Sequence, residues 1–267
     1  MTSTQILMPM RRSFPTADAW RYGVIALIAF LTLVDLFATQ AILPSLTRKY
    51  AVSPATMGVA VNASTFGMAV AGLAIALFGR NLDRRNGIWI SLAVLALPTT
   101  ALAFTQDIVA FALLRVLQGL CMASAFTLTM AYLAEHFTAR RATAALSAYV
   151  TGNVASNVFG RMLSASVAEQ LGIPFNFLTF AGLNLAGAAL VYFTLMKTEK
   201  MMACSRTAGT RGARDLAALF ANRQLASAFA VGFLVLFVFI GTYTYVNFRL
   251  TGAAIGLSPM VLGFVYL

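Results

Sequence analysis

Residues 108–133 read IVAFALLRVLQGLCMASAFTLTMAYL, and the only charge among them is Arg115. A run of about 18 or more apolar residues is long enough to cross the hydrocarbon of a bilayer. Lipid offers the backbone no hydrogen-bond partner, so such a run must be a helix that satisfies its own amides. Polar turns flank it: Thr105, Gln106 and Asp107 before, Glu135 to Arg141 after. The same alternation extends in both directions. Upstream lie apolar runs at Tyr22–Leu43, Ala55–Phe78 and Ile88–Phe104; downstream at Ala142–Val167, Phe175–Met196 and Leu225–Asn247. A further run begins near Ser258 and is cut at Leu267. The expected fold is therefore an all-α integral membrane bundle with six complete spans, a seventh and a truncated eighth. The short alternating segments of a membrane barrel do not occur.

Composition agrees. Hydrophobic residues make up 60% of the chain and charged residues 10%, against about 25% charged in soluble domains. The formal charge of +11 does not mark a nucleic-acid partner. The basic residues sit in short connections between apolar runs, and no compact basic domain gathers them. His136 is the only histidine and there are two cysteines, Cys121 and Cys204, so neither a metal site nor a disulfide framework is expected. No cofactor is expected, and no nucleophile–base pair points to an enzyme. The first run is too long for a secretory signal and is followed by further spans.

The placement of charge predicts topology. Arg11, Arg12, Arg21, Arg80, Arg84, Arg85, Arg140, Arg141, Lys197, Lys200, Arg206, Arg211, Arg214 and Arg223 fall on one side of alternating spans. Only Arg48, Lys49 and Arg249 fall on the other, and Arg115 and Arg161 lie within spans. Basic loops stay in the cytoplasm, so the amino terminus is expected inside a bacterial inner (plasma) membrane. The domain division is a six-helix bundle at 1–196, a cytoplasmic linker at 197–224 and the start of a second bundle at 225–267. The linker is rich in Ser, Thr and Gly, and its Asp215–Phe220 stretch reads as a short surface helix.

Several spans carry polar residues at helical spacing. In span four Arg115 precedes Gln118, Gly119 and Ala123, and the last two share one face suited to close packing. In span five Gly152, Ser156 and Gly160 form a small-residue face, and Asn153, Asn157 and Arg161 a polar stripe. Span one carries Asp35, Thr39 and Gln40. At a rise of about 1.5 Å per residue, Asp35 lies roughly 20 Å from the inner surface and Arg115 roughly 10 Å from the outer one. In a core of about 30 Å they share a depth, and a direct Asp35–Arg115 pair is expected.

The turn Gly79-Arg-Asn-Leu-Asp83-Arg84-Arg85-Asn-Gly87 resembles the signature cytoplasmic turn of the major facilitator superfamily, with Asn86, Gly87 and Ile88 in place of its second glycine and basic pair. Arg115-x-x-Gln118-Gly119 resembles that family's fourth-helix motif. The Gly152-Asn153 and Gly160-Arg161 pairs, with Tyr243, Tyr245, Asn247 and Phe248-Arg249-Leu250, are similar to a YnfM-like efflux branch, and the Gly-Pro pair of drug antiporters is absent.

The resemblance implies a secondary transporter of a small organic solute, an exporter working by alternating access and coupled to protons. Asp35, Gln40, Arg115, Gln118, Asn153, Asn157 and Arg161 would line the substrate or proton pathway. Gly79, Asp83, Arg84, Glu135 and Arg141 would form a cytoplasmic gate, with Gly79 giving a tight turn. An acid in an apolar site can bind and release a proton, so Asp35 is the expected carrier. The competing expectation is a truncated, non-transporting membrane protein or remnant, because the second bundle has only begun at Leu267.

Overall fold

The computed structural model describes residues 16–79, 82–195 and 221–250. Among them are eight helices: α1 Thr16–Ala41, α2 Leu43–Tyr50, α3 Pro54–Phe78, α4 Arg84–Phe104, α5 Ile108–His136, α6 Ala139–Gln170, α7 Ile173–Thr194 and α8 Arg223–Leu250. Residues 197–220 of the linker expected at 197–224, the eighth span near Ser258, Arg80 and the segment before Thr16 lie outside the described residues, and the linker's last residues, Arg223 and Gln224, already belong to α8.

Local chemistry sets the boundaries. Ser53 caps α3 by accepting from the Thr56 amide at 3.1 Å, with Pro54 opening the helix. Asp107 caps α5 through the Ala110 amide at 2.7 Å. A side-chain oxygen here satisfies one of the amides that a helix start leaves without an intrahelical partner. α6 and α7 are separated by Gly172 at φ 88°, a left-handed conformation that glycine adopts without steric cost.

α1 packs along α6, α3 along α5, and α4 against both α5 and α7. The first two contacts are backbone to backbone. A Cβ added to Gly119 would sit 1.9 Å from the Ser64 carbonyl oxygen, and one added to Gly67 2.1 Å from that of Val116. At the α1–α6 crossing a Cβ on Gly152 would sit 2.0 Å from the Ala26 oxygen. The small-residue faces of spans four and five are thus the sites of closest helix approach. α1 is the most enclosed span. Large apolar side chains such as Phe66, Leu97, Phe104 and Phe193 point outward, as a lipid-facing surface requires.

Six of the described helices are long and apolar enough to cross a membrane: α1, α3, α4, α5, α7 and α8. α6, expected as span five, forms a helix of full length but is not apolar enough to stand with them. Its many polar residues account for the difference, Asn153 and Asn157 with the buried Ser156, Arg161 and Ser164 among them. They are covered by α1, and Ser164 donates to the Ala38 carbonyl at 2.8 Å. α8 meets the bundle through its carboxyl-terminal part: the Tyr245 hydroxyl lies where a Cβ on Gly58 would meet it at 3.4 Å, and Phe248 packs against the apolar cluster that holds Ile42, Leu46 and Phe111. At that end burial, with Asp107 as a smaller cause, pushes the Tyr50 phenol up to about 12. It stays protonated and donates to the Thr105 carbonyl at 2.8 Å, tying α2 to the α4–α5 turn.

Candidate functional site

Two polar networks and one surface cluster receive the residues singled out from the sequence, Asn153 and Arg141 excepted. The first network is centred on Arg115, which is fully buried in α5. Its Nε donates to the Val61 carbonyl at 3.0 Å and its Nη2 to Ser64 Oγ at 2.9 Å, both on α3. Its Nη1 donates to Thr39 Oγ1 on α1 at 3.1 Å and to Gln118 Oε1 at 2.7 Å. Gln118, one turn along α5, passes the connection on: its Nε2 donates to Thr99 Oγ1 on α4 at 2.7 Å and reaches Asp35 Oδ1 at 3.5 Å. Thr99 is also 3.4 Å from Asp35 Oδ1, and Asn184 of α7 donates to Thr99 at 3.3 Å. Five helices contribute to this one cluster.

The expected direct pair between Asp35 and Arg115 does not form; no ion pair joins them. Both enter one network, but Gln118 stands between them. Arg115 instead spends its donors on neutral oxygens. Asp35 is 2% exposed, its Oδ1 has only long contacts, and its Oδ2 has no partner among the described residues. An ionised carboxylate is costly in such a place unless paired and hydrogen-bonded.

The second network is centred on Arg161 of α6, also fully buried. Its Nε donates to Asn157 Oδ1 and its Nη2 to Gln40 Oε1, each at 2.7 Å. The guanidinium lies 5.5 Å from the Phe37 ring centroid and 5.3 Å from that of Tyr243 on α8. Gln40 continues to Asn62 Oδ1 at 3.5 Å, and Asn62 to Thr244 Oγ1 at 3.4 Å. This network therefore links α1, α3 and α6 to α8. Asn153, expected on the same stripe, lies away from these bonds, with its buried Oδ1 unpartnered among the described residues.

The surface cluster lies where α3 ends and α4 begins. Asp83 caps α4, accepting from the Asn86 amide at 3.2 Å and from its side-chain nitrogen at 3.1 Å. Asn86 in turn accepts from Trp89 Nε1 at 3.1 Å. The departure from the family pattern at position 86 thus supplies side-chain bonds a glycine could not make. Arg84 Nη2 pairs with Glu135 at 2.9 Å and its Nη1 donates to the Gly79 carbonyl at 2.5 Å. Gly79 has φ −70° and ψ −5°, ordinary right-handed values, so a turn conformation reserved for glycine is not its role. A Cβ there would instead crowd Ile75 at 2.9 Å. Of the expected gate, Arg84, Glu135 and Gly79 are joined, Asp83 is engaged as a cap, and Arg141 lines a cavity with His136, Phe137 and Thr138 of the α5–α6 turn.

Reading from sequence missed Thr39 as a ligand of Arg115, and Ser64, Thr99, Asn62 and Asn184 altogether. Each is a neutral polar residue inside an apolar run, the signal that was available. It also missed Arg85, which is buried under α7, donates to the Tyr192 carbonyl and lies 4.8 Å over the Tyr192 ring.

The family model described as Major Facilitator Superfamily matches residues 25–267. The MFS-type transporter YybF of Bacillus subtilis is 24% identical over 238 residues, which are 89% of this chain and 59% of YybF. A gallate transporter of Pseudomonas putida is 24% identical over 80% of this chain and 48% of its own length. The inner membrane transport protein YnfM of Escherichia coli is 22% identical over 88% and 56%. The chain thus spans about half to three fifths of the curated relatives it matches. Among solved structures, an inward-facing bacterial homologue of the lysosomal transporter Spinster superposes with a TM-score of 0.74 at 14% identity, covering 95% of this chain and 59% of that one. A D-xylose–proton symporter gives 0.64 at 18% identity, covering 92% and 65%.

Proposed function

The chain belongs to the major facilitator superfamily, and from that premise we propose that it is a proton-coupled secondary transporter of a small organic solute, in which Asp35 carries the proton. The observation that carries this reading is the buried network running from Asp35 through Thr99 and Gln118 to Arg115. Ionisable groups buried among membrane helices are expensive and mark substrate or ion pathways. Asp35 touches the network through one oxygen and leaves the other open, so protonation changes the charge of the cluster without breaking its strongest bonds. Arg161, with Gln40, Asn157, Phe37 and Tyr243, stands as the solute-facing half: a cation with amides and aromatic rings around it fits an organic solute with polar substituents. The general scheme for this superfamily is two bundles rocking around a midplane site, and the contact of α8 with Arg161 and Asn62 is consistent with it. Export across a bacterial inner membrane is the direction we assign, on the similarity of the fifth and seventh helices to the efflux branch. We assign the Arg84–Glu135 pair to a gate at the end of the bundle where α3 meets α4.

The test uses the protein in vesicles loaded with a pH-sensitive dye. Solutes from a panel of small organic acids, bases and sugars, gallate among them, are added on either side. A solute that moves protons with the wild type and moves none with Asp35→Asn, while solute exchange at equal pH persists, is the expected result. Proton movement that survives Asp35→Asn removes Asp35 as the carrier. A panel that yields no movement at all, with correctly inserted protein, removes the transport reading.

A further inference from the structure

We propose that Asn176 and Asn184 of α7 hold a short file of water between α1, α4 and α7, which delivers protons to Asp35 from the end of the bundle where α7 begins. This route rests on the reading of Asp35 as the proton carrier. Both asparagines are enclosed, Asn176 at 1% and Asn184 at 0% exposure, while Phe175 and Leu185 on the same helix face outward. Asn184 donates to Thr99 Oγ1 at 3.3 Å, and Thr99 Oγ1 lies 3.4 Å from Asp35 Oδ1. The Oδ1 of Asn184, the Nδ2 and Oδ1 of Asn176 and the Oδ2 of Asp35 are all buried with no partner among the described residues.

Buried polar atoms are nearly always hydrogen-bonded. These four lie on two helices in contact, α1 and α7, and need a partner small enough to reach them inside a packed bundle. Water meets that condition, since groups of this kind hold it inside proteins with about three hydrogen bonds per molecule. At a rise of about 1.5 Å per residue the two asparagines stand roughly 12 Å apart along α7. About four waters in hydrogen-bond contact cover that length. Phe180, one turn from each asparagine, packs with Val34 and Ala38, which flank Asp35 on α1. The passage between the asparagines therefore runs beside Asp35. A proton arriving on the α5 side would meet the charge of Arg115, which stands behind Gln118. The groups on the α7 side, Thr99, Asn184 and Asn176, are neutral. In the transfer, the water beside Asp35 gives a proton to Oδ2 and receives one from the next water. The carboxylate becomes a carboxylic acid and each water is restored.

The test places the full chain in lipid vesicles with a caged proton compound on both sides. A flash releases the protons, and time-resolved infrared spectroscopy follows the carboxyl band that Asp35→Asn lacks. Asn176→Leu is expected to slow the rise of that band by about tenfold or more. Its final amplitude should match the wild type, because the route sets the rate and not the affinity. Asn176→Ser, which keeps a polar group, is expected to stay near the wild-type rate. A second measurement needs no variant: in heavy-oxygen water, bands of weakly bonded water in the wild-type difference spectrum are expected to shift. A wild-type rate in Asn176→Leu overturns the route. So does an Asn176→Ser protein as slow as Asn176→Leu, which would assign the loss to packing, and so does the absence of any shift in heavy-oxygen water. A wild type with no flash-induced band that Asp35→Asn removes overturns the reading of Asp35 itself and the route with it, whereas the other three outcomes leave that reading standing.

Discussion

Gln118 holds the position that the sequence assigned to a salt bridge. It accepts from Arg115 and donates toward Thr99 and Asp35, so one amide joins the permanent cation to the acid without neutralising either. On the proposed reading of Asp35 as a proton carrier, a direct pair would hold it ionised, whereas an intervening amide leaves it free of that constraint. Gln118→Leu keeps the volume but strips an acceptor from Arg115 and a donor from Thr99. Each buried polar group left unpaired costs about 1–3 kcal/mol, so the variant should lose thermal stability in detergent by several degrees and lose proton-coupled movement together. Gln118→Glu should keep the stability by pairing with Arg115 and still lose coupling, because a second acid then competes for the charge that Asp35 senses. A Gln118→Leu protein as stable as wild type would show that the amide is not the connector. The sequence made Arg115, Gln118 and Asp35 legible because polar groups in apolar runs are conspicuous. It could not show the order of bonding, which depends on how the helices rotate about their axes, and that is set by packing partners distant in the chain.

At the scale of the helix, two glycines do what the spacing argument expected and one does not. Gly119 and Gly152 lie where two backbones touch, and any side chain meets a carbonyl oxygen that cannot move alone. Gly119→Val should push α5 off α3, pulling Arg115 from Val61 and Ser64. Overpacking of a close-packed contact costs about 1–3 kcal/mol, and the misplaced arginine adds to it. Gly72, on α3 with open space around it, is the control. The expected outcome is an aggregated or early-melting Gly119→Val protein by size-exclusion and thermal unfolding, beside a Gly72→Val protein that behaves as wild type. Equal behaviour of the two would deny the close crossing. Gly79 differs because it ends a helix in an ordinary backbone conformation. A glycine in a motif is legible as a small residue, but whether it serves space or backbone freedom depends on the angle at which the chain leaves the helix. α6 shows the opposite limit: its low apolarity hid how well α1 covers its polar face, a property of the pair rather than of the segment.

For the whole molecule the ends of the bundle are defined by contacts. The Arg84–Glu135 pair and the Arg85–Tyr192 bond bring the α3–α4 turn, the end of α5 and the end of α7 together. The cavity beside the α5–α6 turn adds Arg21 and Arg141 to the same end. The opposite end gathers α2, the α4–α5 turn and Phe248. Of 19 Lys and Arg in the chain, 14 belong by sequence to the first end, 3 to the second and 2 to spans. Since Lys and Arg within about 15–20 residues of span ends set orientation and acids contribute little, the first end should face the cytoplasm. The check is accessibility. With Cys121 and Cys204 replaced by serine, Gln106→Cys at the α4–α5 turn should react with a membrane-impermeant maleimide in intact cells. Thr138→Cys at the α5–α6 turn should react only after the membrane is opened. The reverse pattern would invert the protein. It would also move the Arg84–Glu135 cluster and the cavity beside the α5–α6 turn to the outer face, where the charge distribution gives neither a reason to be.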